Sequence, residues 1–437
     1  MNRKTKDIII IGAALFAMFF GAGNLIFPPA IGMMAGDKWL FSLLGFVLTG
    51  IGLPVLGVIA VSKVGGTIND LSGRVGPVFS KILGSIVILA IGPLLAIPRT
   101  GATVYEIGIK PLFDSVNPLL VSVIYFSITL FFVIKPSGIM DKIGKILTPI
   151  LLIVTTTIII KGILIPIGTP IKTVISMPFS KGFTDGYQTM DALGSIVMAG
   201  IVLVALLEKG YTDKKEQISM TVKAGLIAGT GLLLIYGGLL YLGATSSGIF
   251  PADIAKSELI VSITNNVLGN MGQIGMCIVV SAACLTTSIG LTAIVGNYFS
   301  DLSGGRLGYR PIVIGTVSFS AIMAVVGVEQ IVKLAVPLLV LVYPVAIILI
   351  LLGLCDSLIK NKNIYKGAVT GALIVSSFDA LSAMNVQVGF LHDYMARLPF
   401  SEMGFGWVIP TIVMATLASL IPQKKDTEEQ LQVVENY

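Results

Sequence analysis

The chain has 437 residues, of which 55% are apolar and only 12% charged, and its formal net charge is +6 at pH 7. Soluble folds turn charged side chains outward, and this charged share is about half that of an average soluble domain, so composition excludes a water-soluble globule and points to a lipid-facing surface. The 29 basic residues are scattered through short loops rather than gathered on one face, which argues against a nucleic-acid partner.

In chain order, the basic start Asn2-Arg3-Lys4-Thr5-Lys6-Asp7 leads into an apolar run from Ile8 to about Ala35, too long for the roughly 7–15 residues of a signal h-region, so a retained first helix is expected. A helix crosses the hydrocarbon core with about 20 mostly apolar residues. That criterion predicts about twelve spans, near 8–35, 39–62, 79–107, 118–134, 143–165, 176–207, 219–245, 269–299, 311–328, 331–355, 366–385 and 404–421. With the N-terminus in the cytoplasm, alternation places 20 of the 29 basic residues inside, as the positive-inside rule favours. Both termini are therefore expected in the cytoplasm, with residues 422–437 as a polar tail. Cys277, Cys284 and Cys355 fall in apolar segments and read as packing thiols. His392 lies in a polar loop and reads as an ordinary loop residue.

Irregular backbone at membrane depth persists only where protein buries it or it lines a cavity, so interrupted spans locate the chemistry. The first span is interrupted by Gly21-Ala22-Gly23-Asn24 ahead of Pro28-Pro29, a poor helix interior. Close packing of small residues explains the glycines but not Asn24 and the proline pair. Five spans on, Gly186-Tyr187-Gln188-Thr189-Met190-Asp191-Ala192-Leu193-Gly194-Ser195 interrupts an apolar stretch. Asp191 there is a costly intramembrane carboxylate, functional by default, and equally a cap for the half-helix that follows. In the eighth span Ala283, Thr286 and Thr287 share one helical face and offer hard oxygens suited to Na⁺, although such hydroxyls often bond back to the i−4 carbonyl. Arg99, Thr100 and Glu106 close the third span and fit either an outer vestibule or gate, or a helix end with a snorkelling arginine. Asp70 and Arg74, at i and i+4, read as an exposed ion pair.

The segments Gly21-Ala22-Gly23-Asn24-Leu25-Ile26-Phe27-Pro28-Pro29, Gly92-Pro93-Leu94-Leu95-Ala96-Ile97-Pro98-Arg99-Thr100-Gly101 and Tyr187-Gln188-Thr189-Met190-Asp191-Ala192-Leu193-Gly194 together resemble the branched-chain amino acid carrier family, bacterial cation-coupled importers of leucine, isoleucine and valine. More distantly the plan is similar to the LeuT-type fold of the amino acid–polyamine–cation superfamily. The resemblance implies an all-α polytopic protein forming one transport domain: a first five-helix repeat over about 8–165, an inverted second over about 176–355, broken first and sixth helices, and two added helices over about 366–421. It further implies that Gly21, Ala22 and Gly23 offer amides to the substrate α-carboxylate, and that carbonyls around Tyr187, Gln188, Thr189 and Met190, with Asp191 adjacent, hold the α-ammonium group. Carbonyls of Ala17 and Phe20 would join Ala283, Thr286 and Thr287 around one Na⁺. Asn24 matches a position that serves a second Na⁺ in some relatives, but its other ligands cannot be placed.

The expected function is Na⁺-coupled symport of branched-chain amino acids across a bacterial cytoplasmic membrane by alternating access, with proton coupling through Asp191 as the alternative. The expected partners are a small-molecule amino acid and the bilayer. An enzyme would need clustered acid–base or metal-binding groups at one depth, and a channel a ring of carbonyls or charges; the sequence offers neither.

Overall fold

The computed structural model describes residues 2–134, 139–172, 175–386 and 397–422, without side chains for 139–148. His392 and most of the polar tail lie outside the described residues. The described residues are helical with no strand, as backbone groups in hydrocarbon require, because a helix satisfies them within its own segment.

The helices, in chain order, are α1 Arg3–Phe19, α2 Ala22–Ala35, α3 Trp39–Val47, α4 Leu53–Val64, α5 Ile68–Ser72, α6 Pro77–Leu89, α7 Ala96–Thr103, α8 Pro118–Ile134, α9 Ile139–Leu164, α10 Pro178–Asp185, α11 Asp191–Glu208, α12 Lys214–Thr245, α13 Lys256–Leu268, α14 Asn270–Leu302, α15 Tyr309–Ala324, α16 Val328–Leu354, α17 Asn363–Ala383 and α18 Val408–Ser419. Every predicted span carries helix. Short π-helical segments at Leu48–Gly52, Ala90–Leu94 and Val104–Ile109 join α3 to α4, α6 to α7, and extend α7. The third span therefore runs to Ile109, farther than expected. The helix α13 was not anticipated, because Lys256, Ser257, Glu258, Asn265 and Asn266 hide its apolar face in the sequence.

The lipid-facing surface is direct to see. Ile153, Leu226, Leu234 and Ile322, all within apolar helices, are exposed, and among the described residues six helical stretches are long and apolar enough to cross a membrane. Hydrogen bonds between chain segments define the two ends of the bundle. At one end Lys209 Nζ and Tyr211 OH donate to Asp7 at 2.7 and 2.9 Å, which holds the Asp7 carboxyl below the usual carboxylate range. Lys4 pairs with Glu216 there. At the other end Ser257 Oγ and the Val328 amide donate to Glu106, Lys256 pairs with Glu329, and Lys181 with Asp185.

The expected Asp70–Arg74 pair does not form. The helix α5 is only five residues long and ends at Ser72, so the i, i+4 geometry is lost. Asp70 instead caps it, accepting from the Thr67 amide and hydroxyl at 2.9 and 2.7 Å, while Arg74 reaches Asp356 at 2.9 Å.

Small residues let backbones touch, as in other membrane helix pairs. A Cβ on Gly32 would stand 1.8 Å from the Leu240 carbonyl oxygen, and one on Gly243 would stand 1.9 Å from that of Pro29. This reciprocal notch seats α2 on α12. The neighbours in each case are backbone and cannot yield, so Gly243→Val should lower stability by at least about 1–3 kcal/mol, the range for overpacking. A lower unfolding temperature of the purified protein in detergent checks this; an unchanged one would show that α2 and α12 can separate freely.

Candidate functional site

The first break is short. Phe20 (φ −84°, ψ 96°) and Gly21 (φ −122°, ψ −169°) are extended, and α2 begins at Ala22. The first amides of a helix have no partner within it. One of those at this break is satisfied locally, since the Gly21 N–H donates to Asn24 Oδ1 at 3.0 Å, which leaves Ala22 and Gly23 to present theirs. Pro28 and Pro29 do not make the break, although in the sequence they look like part of it. They sit inside α2, where their missing N–H groups release the carbonyls of Asn24 and Leu25 from helical bonding.

The second break follows α10. Gly186–Thr189 form one 3₁₀ turn, and Met190 then takes a left-handed conformation (φ 62°, ψ 9°) before α11 starts at Asp191. A non-glycine residue there costs of order 1–3 kcal/mol, and such strain collects at functional sites. The turn already uses some of its carbonyls: Tyr187 O accepts from the Met190 amide at 3.1 Å, and Gly186 O from Thr189 Oγ1 at 3.0 Å.

The two breaks meet. Asn24 Nδ2 donates to Asp191 Oδ2 at 2.6 Å and also to the hydroxyl of Tyr236 on α12. Asn24 is 1% exposed and Asp191 8%. A pocket opens beside this junction, lined by Gly21 to Asn24 from the first break and by Thr189 to Asp191 from the second. Thr287 lines it too, and a Cβ on Gly21 would be 3.8 Å from Thr287 Oγ1. Thr286 and Thr287 both donate to the Ala283 carbonyl at 2.9 Å, so each hydroxyl oxygen keeps its lone pairs. Ala17 lies in the last turn of α1 and Phe20 follows its end, where the Phe20 ring stacks on Phe16 and Tyr236. The apolar walls, which sequence could not mark, come from Met18, Ile91, Ala96, Met198 and Leu291.

The third-span group is divided by the structure. Arg99 and Thr100 are not at a helix end: they are buried in α7 and line the pocket. They get there because the span is interrupted at Gly92 (φ −97°, ψ −126°) within the π segment that carries Pro93, which turns α7 toward the breaks. Arg99 Nη1 donates to the Gln188 carbonyl at 2.6 Å, tying the third span to the second break. Thr100 Oγ1 donates to Ile97 O at 2.6 Å. Glu106 stays at the outer extension and holds α13 and α16. Among the described residues no three His, Cys, Asp or Glu side chains cluster as a metal site.

A pocket framed by two broken helices, with the remaining helices packed around them, is the plan of LeuT-type secondary transporters. Similar solved structures include Mhp1, a nucleobase-cation-symport-1 family transporter, in a closed conformation with bromovinylhydantoin bound (TM-score 0.61, 14% identity, 94% of this chain and 91% of that one). A Na⁺-coupled sialic acid symporter in a substrate-bound outward-open state is also similar (TM-score 0.57, 14% identity, 95% and 90%). Residues 4–425 match the family described as branched-chain amino acid transport protein. The chain is also 39% identical over 425 residues, 95% of each chain, to the branched-chain amino acid permease BraB of Bacillus subtilis. It belongs to this family of membrane transporters, which are permeases and not enzymes.

Asn24 is the residue on which the junction rests, since it serves Gly21, Asp191 and Tyr236 at once. Asn24→Ala strands buried groups, each costing about 1–3 kcal/mol, and should destabilise the protein by at least that much. Chemical unfolding in detergent micelles measures it; a change below about 0.5 kcal/mol would mean that the breaks are held together elsewhere.

Proposed function

We propose that the protein is a Na⁺-coupled symporter that imports leucine, isoleucine and valine across the bacterial cytoplasmic membrane by alternating access. The observation that carries this reading is the convergence of two helix breaks on one pocket that combines free backbone amides, a carboxylate and a dry apolar wall. Free amides at the start of α2 suit the substrate α-carboxylate, and Asp191, with the free faces of the second-break carbonyls, suits the α-ammonium group. Met18, Ile91, Met198 and Leu291 suit a branched side chain. Such walls separate one methylene by only about 1–3 kcal/mol, so the three substrates compete.

Na⁺ is cargo in this scheme. The Thr286 and Thr287 hydroxyl oxygens, the Ala283 carbonyl and the carbonyls of Ala17 and Phe20 supply hard oxygen donors on either side of the first break. An ion there steadies the end of α1 and so completes the substrate site. The Na⁺ coupling of the sialic acid symporter with a similar fold supports this choice. Proton coupling keeps one specific observation in its favour: Asp191 is buried, lines the pocket and is held by Asn24.

The positive-inside count favours a cytoplasmic side for the end that carries Asp7 and Lys209. Met18 on α1, Met198 on α11 and Leu291 on α14 all lie on that side of the breaks. Toward the opposite end Tyr187 stacks on Tyr343 with ring centroids 4.2 Å apart, and Phe183 meets Phe405 at 4.7 Å. These aromatic pairs lie between the pocket and that end of the bundle.

Leucine uptake into proteoliposomes tests the reading. A Na⁺ gradient should drive accumulation that isoleucine and valine compete and lysine does not, and Thr287→Ala should weaken the apparent Na⁺ affinity at least about tenfold, the effect of roughly one lost charge-assisted contact. Accumulation with a pH gradient alone would transfer coupling to Asp191. Unchanged Na⁺ dependence in Thr287→Ala would remove the eighth-span ion site.

A further inference from the structure

Arg99 is the one group in the pocket whose charge the transport scheme above leaves unused. It stands in the middle of an apolar span, is 4% exposed, and lines the same pocket as Gly21, Gly23, Asn24 and Asp191. A buried guanidinium carries five N–H donors in a fixed fork and is costly at membrane depth unless it has work to do. Here Nη1 is anchored on the Gln188 carbonyl at 2.6 Å, and the guanidinium carbon lies 5.4 Å from the centroid of the Phe27 ring. Its Nε is buried with no hydrogen-bond partner among the described residues.

Two features aim this charge at the first break. A Cβ on Gly23 would stand 2.9 Å from Arg99 Nη2, so the guanidinium fills the notch that the missing side chain leaves, beside the free amides of α2. Asp191, the opposite charge in the pocket, is not ion-paired with it among the described residues: it accepts from Asn24. The pocket therefore holds a guanidinium and a carboxyl group that do not pair with each other by contact.

We propose that Arg99 is the side chain that reads the carboxylate of the transported zwitterion, acting with the Ala22 and Gly23 amides, while Asp191 faces its ammonium group. A carboxylate accepts two parallel donors from a guanidinium, and these charge-assisted bonds are about twice as strong as neutral ones. The anion of a bound amino acid thus supplies acceptors for a guanidinium that the protein leaves short of them. The amides alone bind any anion or carbonyl oxygen; Arg99 adds a demand for full negative charge and excludes uncharged amides and esters. Gln188 and Phe27 are positioning residues in this arrangement, because they fix the fork without touching the ligand. The inference rests on the amino acid reading of the pocket.

The test uses the purified full-length protein in detergent with Na⁺ present, and measures calorimetric affinities for L-leucine and for L-leucinamide, which keeps the ammonium group and side chain but not the negative charge. Wild type should prefer leucine strongly. Arg99→Gln should lose about 30-fold or more in leucine affinity, in the range of one charged contact, with leucinamide affinity within about threefold of wild type. Arg99→Lys, which keeps the charge without the fork, should fall between and serves if Arg99→Gln does not fold. Equal losses for both ligands, or unchanged leucine affinity, would overturn the assignment and leave Arg99 as a strut between the third span and the second break. Where leucinamide binds too weakly to measure, leucinol, which likewise keeps the ammonium group and side chain without the negative charge, takes its place, with the same two outcomes. Wild type that binds no branched amino acid would instead defeat the amino acid reading, and the same pair of acid and amide is then run on the amino acid it does bind.

Discussion

Backbone amides and carbonyls have no water to turn to in hydrocarbon, and the structure is organised around the two places where its helices stop supplying their own partners. Each break alone would be an unsatisfied defect. Together they answer one another through a single side chain: Asn24 accepts from the Gly21 amide and donates to Asp191 and Tyr236. The first break is thereby capped, the second is held against it, and α12 is drawn in as the third support. The close seating of α2 on α12 through Gly32 and Gly243 serves the same end, because Asn24 and Tyr236 can meet only if those backbones touch.

Polar groups near this junction are arranged by how far each is satisfied within the protein. Gly21 N–H, Gly186 O and the Thr100 hydroxyl are satisfied locally, so they shape the backbone and contribute little to a ligand. The amides of Ala22 and Gly23, the oxygens of Thr286 and Thr287 and the Arg99 Nε keep capacity in hand. Unmet hydrogen-bonding capacity in a low-dielectric site is costly to leave and correspondingly strong when met. Left-handed Met190 belongs to this economy as well, since its strained turn sets Asp191 at the first position of α11 with its carboxylate toward Asn24.

Much of this was legible in the sequence, for identifiable reasons. Spans are legible because apolar runs of the required length are rarely stable anywhere but in lipid. The first break is legible because two glycines and an asparagine defy helix propensity in a lipid-facing run, and the second because Asp191 cannot be there idly. Four things were not legible. The prolines at 28 and 29 signal a break but sit within α2, since a membrane helix tolerates them where neighbours satisfy the freed carbonyls. Arg99 reads as part of a span's polar end because the interruption at Gly92, which turns α7 toward the breaks, has no clear mark in the sequence. Apolar pocket walls such as Met18, Ile91, Met198 and Leu291 look like any other core residue, and Tyr236 looks like an ordinary aromatic in a long helix.

The third span connects the pocket to the far end of the bundle. It is held to the second break by Arg99 on Gln188, and its outer extension is held to α13 and α16 by Glu106. The bonds differ in kind: Glu106 joins elements at the end opposite Asp7, whereas Arg99 reaches from the third span into the backbone of the second break. The third span is thereby fixed at two depths, at its far end by a carboxylate that gathers a hydroxyl and a backbone amide, and at the pocket by a guanidinium on the Gln188 carbonyl.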